Sequence, residues 1–298
     1  MPEKSNWRPD PIGLLLFTIF VTTTLLALEQ AQHVDVRALP VMSGLFALAV
    51  VSLLLLVRQE NRAPSPLIPL PLLRRSEIWR SDALAACHGA ALVSLITFLP
   101  IYLQVVRGLS PAQTGLLLVP LTIGIGTGSL VTGRLVSRTG ITTAFPVVGL
   151  ALVTINLVML AFWAHLLTPT ALGWLLLWNG LFMGTVMGVV QVTVQSAAGP
   201  RQLGEAAASV QFSRSIGAGF GTAIVTTVLF AVLSWRNPEA ARLFAGLMEH
   251  AGQTSPSVDS LAAAQGDIAA AFRIAFLSVA AFTAAGFFLA ILIPMRRI

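Results

Sequence analysis

Charge is scarce in this chain. Asp, Glu, Lys and Arg make up 10% of its 298 residues against 56% hydrophobic, where a soluble globular domain carries about 25% charged residues. Mean hydropathy is +0.84, so the chain is too apolar to dissolve as one globular domain and reads as an integral membrane protein. Thiols are nearly absent too. The single cysteine, Cys87, excludes an intramolecular disulfide, and its place inside an apolar run predicts a small buried residue. Four histidines, His33, His88, His165 and His250, lack metal-ligand spacing, so no metal is expected. One lysine accompanies 17 arginines, and it follows no glycine loop of the kind that cradles phosphate. Although the isoelectric point is near 11.2, the arginines are scattered through loops instead of clustering with aromatics, which argues against nucleic acid.

What the chain does have is apolar runs of membrane-crossing length, about 20 residues each. Eight are predicted, at about 12–30, 38–57, 82–105, 112–133, 143–164, 170–196, 215–235 and 269–294, separated by turns marked with Pro, Gly and charge. The expected fold class is all-α, a polytopic membrane protein with eight transmembrane helices. No small-x-small cleavage site follows the first run, so it is read as a retained span and not a signal peptide. If the N-terminus is cytoplasmic, thirteen basic residues fall inside, among them Lys4, Arg58, Arg134 and Arg201. Five, including Arg107 and Arg273, fall outside. The positive-inside asymmetry therefore predicts a multi-pass protein of the inner (plasma) membrane with both termini cytoplasmic. Segment 58–81 holds four prolines in eight residues and is expected to be an extended linker. In the outer segment 236–268, Asn237 and Pro238 predict the start of a short helix. Its Leu243, Phe244, Leu247 and Met248 share one face, as in a helix lying in the interface. GQTSPSVDS after it reads as flexible loop.

The chain is organised around Thr97–Thr142. Pro100 and Pro120 interrupt apolar runs, and Gly124, Gly128 and Thr132 recur every fourth residue, a ridge of small side chains that lets another helix approach closely. Here LPIYLQVVRGLSPAQTGLLLVP joins a Pro-x-Tyr-x-Gln span end to Gly-x-Ser-Pro and then to the basic GRLVSRTG. This combination resembles the fourteen-span drug:proton antiporter branch of the major facilitator superfamily, the EmrB/QacA-like proteins. Gly133, Arg134, Leu135, Arg138 and Gly140 match the weaker second copy of that superfamily's gating-loop motif, and Ser137 belongs to the same candidate gating loop. Ser137 stands where the stronger motif has aspartate, Ile141 and Thr142 where it has basic residues; the Ser137 hydroxyl is suited to capping the next helix.

The resemblance implies residues 1–57 as an accessory two-span segment, 58–81 as a cytoplasmic linker and 82–298 as the carboxy-terminal six-span bundle. It also implies proton-coupled export of hydrophobic or cationic drugs. Such transporters hold substrate between two bundles that rock about it, so the chain is expected to be incomplete without a six-span amino-terminal bundle. A non-transporting membrane subunit or scaffold, and a self-associating homodimeric carrier, are the alternatives. Lipid and a small-molecule substrate are the expected partners, and no cofactor is expected.

Candidate residues lie on three spans. In WLLLWNGLFMGTVMGVVQVTVQ, Gly180, Gly184, Gly188, Gln191 and Gln195 fall on one helix face at about 100° per residue. That face either packs a neighbouring helix, with internally bonded glutamines, or lines an aqueous cavity. Tyr102, Gln104, Asn179, Gln191 and Gln195 are the substrate-path candidates, although Asn179 also fits an interfacial belt with Trp174 and Trp178. On the seventh span Ser209, Ser213, Gly217 and Gly221 form a second small ridge. Arg214 beside it either snorkels or pairs across the bundle through Glu205, and the two form the inner-boundary charge. Glu29 and Asp82 are placed at span ends. His88, about six residues into its span and so roughly 9 Å deep, is the candidate proton site; a neutral histidine bonded within the bundle is the other reading. The coupling carboxylates are accordingly expected in the amino-terminal bundle. GIGTGSLVTG superficially matches a dinucleotide fingerprint but lies inside a span without strand-turn-helix context. The spans supply no nucleophile or acid pair at depth, so the chain is not expected to be an enzyme.

Overall fold

Prolines at the first turn and glycines past the last turn divide the apolar runs into helices. The computed structural model describes residues 10–30, 39–62, 74–200, 202–249 and 258–294. Over these residues it contains α1 (Pro11–Gln30), α2 (Leu39–Glu60), α3 (Ser76–Val105), α4 (Pro111–Thr139), α5 (Ala144–Trp163), α6 (Pro169–Ala198), α7 (Leu203–Arg236), α8 (Pro238–Glu249) and α9 (Val258–Leu292). All but α8 are long and apolar enough to cross a membrane. Of the predicted extended linker 58–81, residues 63–73 lie outside the described residues, while 58–60 end α2 and 76–81 open α3; of the predicted flexible loop 252–260, residues 252–257 lie outside them and 258–260 open α9.

Helices begin and end where local chemistry dictates. Ser110 caps α4 in a box, its Oγ accepting from the Gln113 N–H while Gln113 Oε1 accepts from the Ser110 N–H, and Pro111 occupies the first turn. Gly140 ends α4 with φ of 68°, its N–H donating to the Val136 carbonyl, a left-handed cap that suits glycine. Thr168 accepts from the Ala171 N–H ahead of α6. Asn237 does open α8, as its Oδ1 accepts from the Glu239 and Ala240 N–H groups at 3.1 Å each.

Four helices outrun the apolar runs that announced them. α3 begins at Ser76 instead of 82, α7 at Leu203 instead of 215 and α9 at Val258 instead of 269, while α4 continues to Thr139. Hydropathy measures hydrocarbon thickness, whereas backbone hydrogen bonding continues through charged turns such as SEIWRS and LGEAAA, which contain no proline. The basic GRLVSRTG segment is therefore the end of a helix and not a loop. Ser137 Oγ donates to the Arg134 carbonyl at 2.9 Å within α4; it does not cap α5, whose Thr143 makes no side-chain cap bond.

The chain forms two compact units, Met1–Arg75 and Ser76–Ile298. In the first, α1 and α2 pack together. Asp10 Oδ1 accepts from the Gly13 N–H at 3.0 Å and both its carboxylate oxygens lie 3.2 Å from Gln59 Nε2 of α2. The Gly13 amide holds the Asp10 carboxyl below its ordinary range against the opposing effect of desolvation, with a further contribution from Gln59. Most of this unit's large apolar side chains, such as Leu15, Phe46 and Leu54, face outward, which suits lipid.

In the second unit, α3 pairs with α7 and α4 with α6; α9 packs on α5, α3 and α7. Its core gathers Tyr102, Phe272 and Phe276, with Phe244 of α8 edge-on to Phe272 at 5.9 Å between centroids. α8 thus drives one aromatic inward while Met248 remains exposed. Arg236 meets Asp267 at 3.3 Å, and Asn237 Nδ2 donates to the same carboxylate, tying the α7–α8 corner to α9.

Candidate functional site

Two helix seams inside the Ser76–Ile298 unit hold most of the candidate residues. Along α4 and α6, glycine meets backbone. A Cβ placed on Gly124 would collide with the Leu177 carbonyl, on Gly128 with that of Leu181, on Gly180 with that of Leu121, and on Gly184 with that of Ile125. Such approach is what the four-residue spacing permits. Gly188, the next residue of the stripe, has nothing within 4 Å of where a Cβ would stand. Gln191 and Gln195 continue the stripe and are partly exposed. The α6 face therefore changes character along its length. Its first half is a packing seam, and its second half, past the last close glycine contact with α4, carries partly exposed uncharged amides.

The other substrate-path candidates are not brought to this open stretch. Tyr102 is 4% exposed and lies edge-on between Phe272 and Phe276, at 5.6 and 5.4 Å, so its ring is core. Gln104 is exposed near the end of α3. Asn179 is 3% exposed, and its Oδ1 has no hydrogen-bond partner. That burial removes it from the belt formed by the exposed Trp174 and Trp178.

The α3–α7 seam is also tight. A Cβ on Gly217 would overlap the Ala86 carbonyl, one on Gly221 would overlap Ala90, and one on Gly89 would overlap the Arg214 carbonyl. Unlike the first seam it carries ionisable groups. Asp82, expected at a span end, is 3% exposed and six residues inside α3. Ser209 Oγ of α7 donates to its Oδ2, and its Oδ1 is buried without a partner. The added first turn of α3 moved this carboxyl from the boundary into the seam. One signal was available in the sequence, because Ser209 heads the small ridge of α7 and a hydroxyl there is suited to a buried acceptor. His88 is 2% exposed, with Nε2 3.1 Å from the Met183 carbonyl of α6. Since a carbonyl only accepts, that nitrogen carries the proton, leaving Nδ1 buried and unpartnered.

Of the two alternatives for the inner-boundary charges, an ion pair between Glu205 and Arg214 is not formed. Glu205 Oε2 accepts from Gln202 Nε2 at 3.3 Å, and Arg214 is half-buried on α7. Among the described residues the one ion pair is Arg236–Asp267. Arg134, Ser137 and Arg138 are exposed on the last turns of α4, with Gly133 open to its surroundings. Arg80, unremarked in the sequence, donates from Nη1 to the Leu292 carbonyl, joining the start of α3 to the end of α9.

The description Major Facilitator Superfamily matches residues 11–222. The chain belongs to the major facilitator superfamily. Similar members include a tetracycline resistance determinant of Streptomyces rimosus, 28% identical over 224 residues, which span 75% of this chain and 64% of the relative. An MFS-type transporter of Mycobacterium tuberculosis is 30% identical over 290 residues, 95% of this chain and 42% of the relative. The chain thus spans roughly two fifths to two thirds of the length of these relatives. In fold it is similar to a crystal structure of a bacterial homolog to the human lysosomal transporter Spinster, in an inward-facing and occupied conformation. The TM-score is 0.59 at 19% identity, covering 74% of this chain and 50% of that one. A polytopic helical superfamily member lies in lipid, and its relatives include drug-resistance transporters.

Proposed function

We propose that this chain is the carboxy-terminal part of a fourteen-span drug exporter, with residues 1–57 as the accessory pair, 58–81 as the linker and 82–298 as the second six-span bundle. It works against an amino-terminal six-span bundle and exports hydrophobic or cationic drugs in exchange for protons across the inner membrane, with both termini cytoplasmic. The observation that carries this reading is the divided face of α6. A packing seam at Gly180 and Gly184 gives way to open space at Gly188, where Gln191 and Gln195 offer uncharged amides to a substrate held between two bundles. Further support comes from the Pro-x-Tyr-x-Gln to Gly-x-Ser-Pro junction, from the name of the tetracycline resistance relative, from the greater length of the relatives and from the thirteen-to-five split of basic residues. His88, held by a backbone carbonyl, acts as a neutral bundle residue, and the coupling carboxylates lie in the partner bundle.

Drug efflux from proteoliposomes under an imposed pH gradient tests this reading, using the chain alone, the chain with a six-span partner bundle, and both with His88→Ala. Efflux is expected only with the partner and is expected to survive His88→Ala in direction if not in full rate. Gradient-driven efflux by the chain alone overturns the two-bundle reading, and its loss on replacing His88 would move the coupling site into this bundle.

A further inference from the structure

A crevice of about 360 Å³ opens between α4, α5 and α6 near the end of the bundle that carries the basic turns. Its walls include Gly128, Val131 and Leu135 of α4, Phe145 and Val148 of α5 and Leu181 of α6. The volume falls within the range of small-ligand pockets, about 300–1,000 Å³. Val131, Leu135 and Val148 are 51%, 41% and 56% exposed, so the crevice opens sideways on an apolar surface. In a membrane protein that surface meets lipid, not water. A polar group on the wall is already engaged, as Thr185 Oγ1 donates to the Phe182 carbonyl at 2.7 Å.

Two cations flank the crevice. At about 100° per residue, Arg138 lies roughly 20° from Val131, just beyond the edge of the arc of α4 that lines the crevice, and Arg134 lies roughly 60° beyond that edge, next to Leu135 along the chain. Both are exposed, and neither forms an ion pair among the described residues. From Arg138 to Gly128 is ten residues, so the walls run roughly 15 Å along the helix from the charge into the hydrocarbon. No acidic residue occurs between Leu116 and Thr185, so these two helices and the turn between them offer the arginines no counter-charge. We infer that this crevice binds an anionic phospholipid, with an acyl chain against Val131, Leu135, Phe145 and Val148 and the phosphate at Arg134 and Arg138. Guanidinium groups match phosphate oxygens in geometry and charge, and a basic cluster at the end of a span is suited to anionic headgroups. Gly188, Gln191 and Gln195 are not among the residues that line the crevice. The inference needs the chain to lie in lipid, not to transport, so the two readings can fail independently.

The full chain is reconstituted in liposomes with trace amounts of a phosphatidylglycerol bearing a photoactivatable group in mid-acyl chain, or with the phosphatidylcholine of the same chains, and labelled peptides are mapped. Labelling is expected to concentrate in 128–148 and 181–185, at least threefold stronger with phosphatidylglycerol. Arg134→Gln with Arg138→Gln should bring the two probes to equality while labelling persists, and Arg138→Lys should keep the preference. Val148→Trp, filling the crevice from an exposed position, should lower labelling by both probes. Equal labelling of the parent, labels spread evenly over the helices, or a preference indifferent to loss of both arginines would overturn the inference.

Discussion

The two glycine-lined seams of the six-span unit look alike in sequence and differ in what they hold. Where α4 meets α6, four glycines set backbone against backbone and the interface carries no ionisable side chain. Where α3 meets α7, glycines at 89, 217 and 221 bring the helices equally close, but the seam encloses Asp82 with Ser209, and His88 on the same α3 reaches the α6 backbone. Close packing gains dispersion and backbone contact in a solvent as apolar as the side chains themselves. A buried carboxyl with one unpartnered oxygen costs stability and persists where a partner hydroxyl offsets part of that cost. One seam therefore fixes geometry, and the other adds a polar junction to the same geometry.

The largest effect is expected from breaking the first seam. Gly128→Leu or Gly184→Leu places a side chain on a backbone carbonyl, and overpacking of this kind costs about 1–3 kcal/mol or more. The folded fraction seen by fluorescence-detected size exclusion should collapse, whereas Gly188→Leu, with open space around it, should stay within about 0.5 kcal/mol of the parent. Equal damage at 184 and 188 would erase the distinction between the two halves of α6.

A smaller loss is expected in the second seam. Ser209→Ala leaves the Asp82 carboxyl without its donor, at about 1–3 kcal/mol, while Asp82→Leu combined with Ser209→Ala removes both polar groups and should be nearer the parent. Thermal unfolding in detergent of the single and double variants measures the coupling. Additive losses would show that the pair is not a unit. The smallest stability change is expected at the open stretch, where Gln191→Leu and Gln195→Leu should reduce efflux by the assembled exporter more than they reduce its amount in the membrane. Unchanged efflux would make the stretch a continuation of the packing seam.

Much of this was legible in the chain. Eight spans, the Ser110 turn, the α8 cap at Asn237 and the close approach at Gly124 and Gly128 follow from hydropathy, capping chemistry and four-residue spacing. Helix ends were not, because the charged turns at Ser76–Ser81 and Leu203–Ala208 lower hydropathy without breaking the backbone ladder. That error hid the main feature of the α3–α7 seam, since Asp82 counted as a span end became a boundary charge. Tyr102 illustrates a different limit. Its motif marks a position on α3, but only the packing of α9 shows that Phe272 and Phe276 enclose it. The two readings of the α6 face could not be separated by periodicity either, as Gly184 and Gly188 lie about 40° apart on one face and differ in whether the α4 backbone meets them within 4 Å.

The central claim is that α6 leaves its packing seam at Gly188 and turns Gln191 and Gln195 toward water. Single cysteines at 191 and 195, in a Cys87→Ser background of the exporter in membranes, are treated with a charged, membrane-impermeant thiol reagent and compared with Val192→Cys on the neighbouring exposed face. Because the thiolate is the reacting form and needs water to exist, positions 191 and 195 should react at least about tenfold faster than 192. Equal rates at all three positions would contradict the claim.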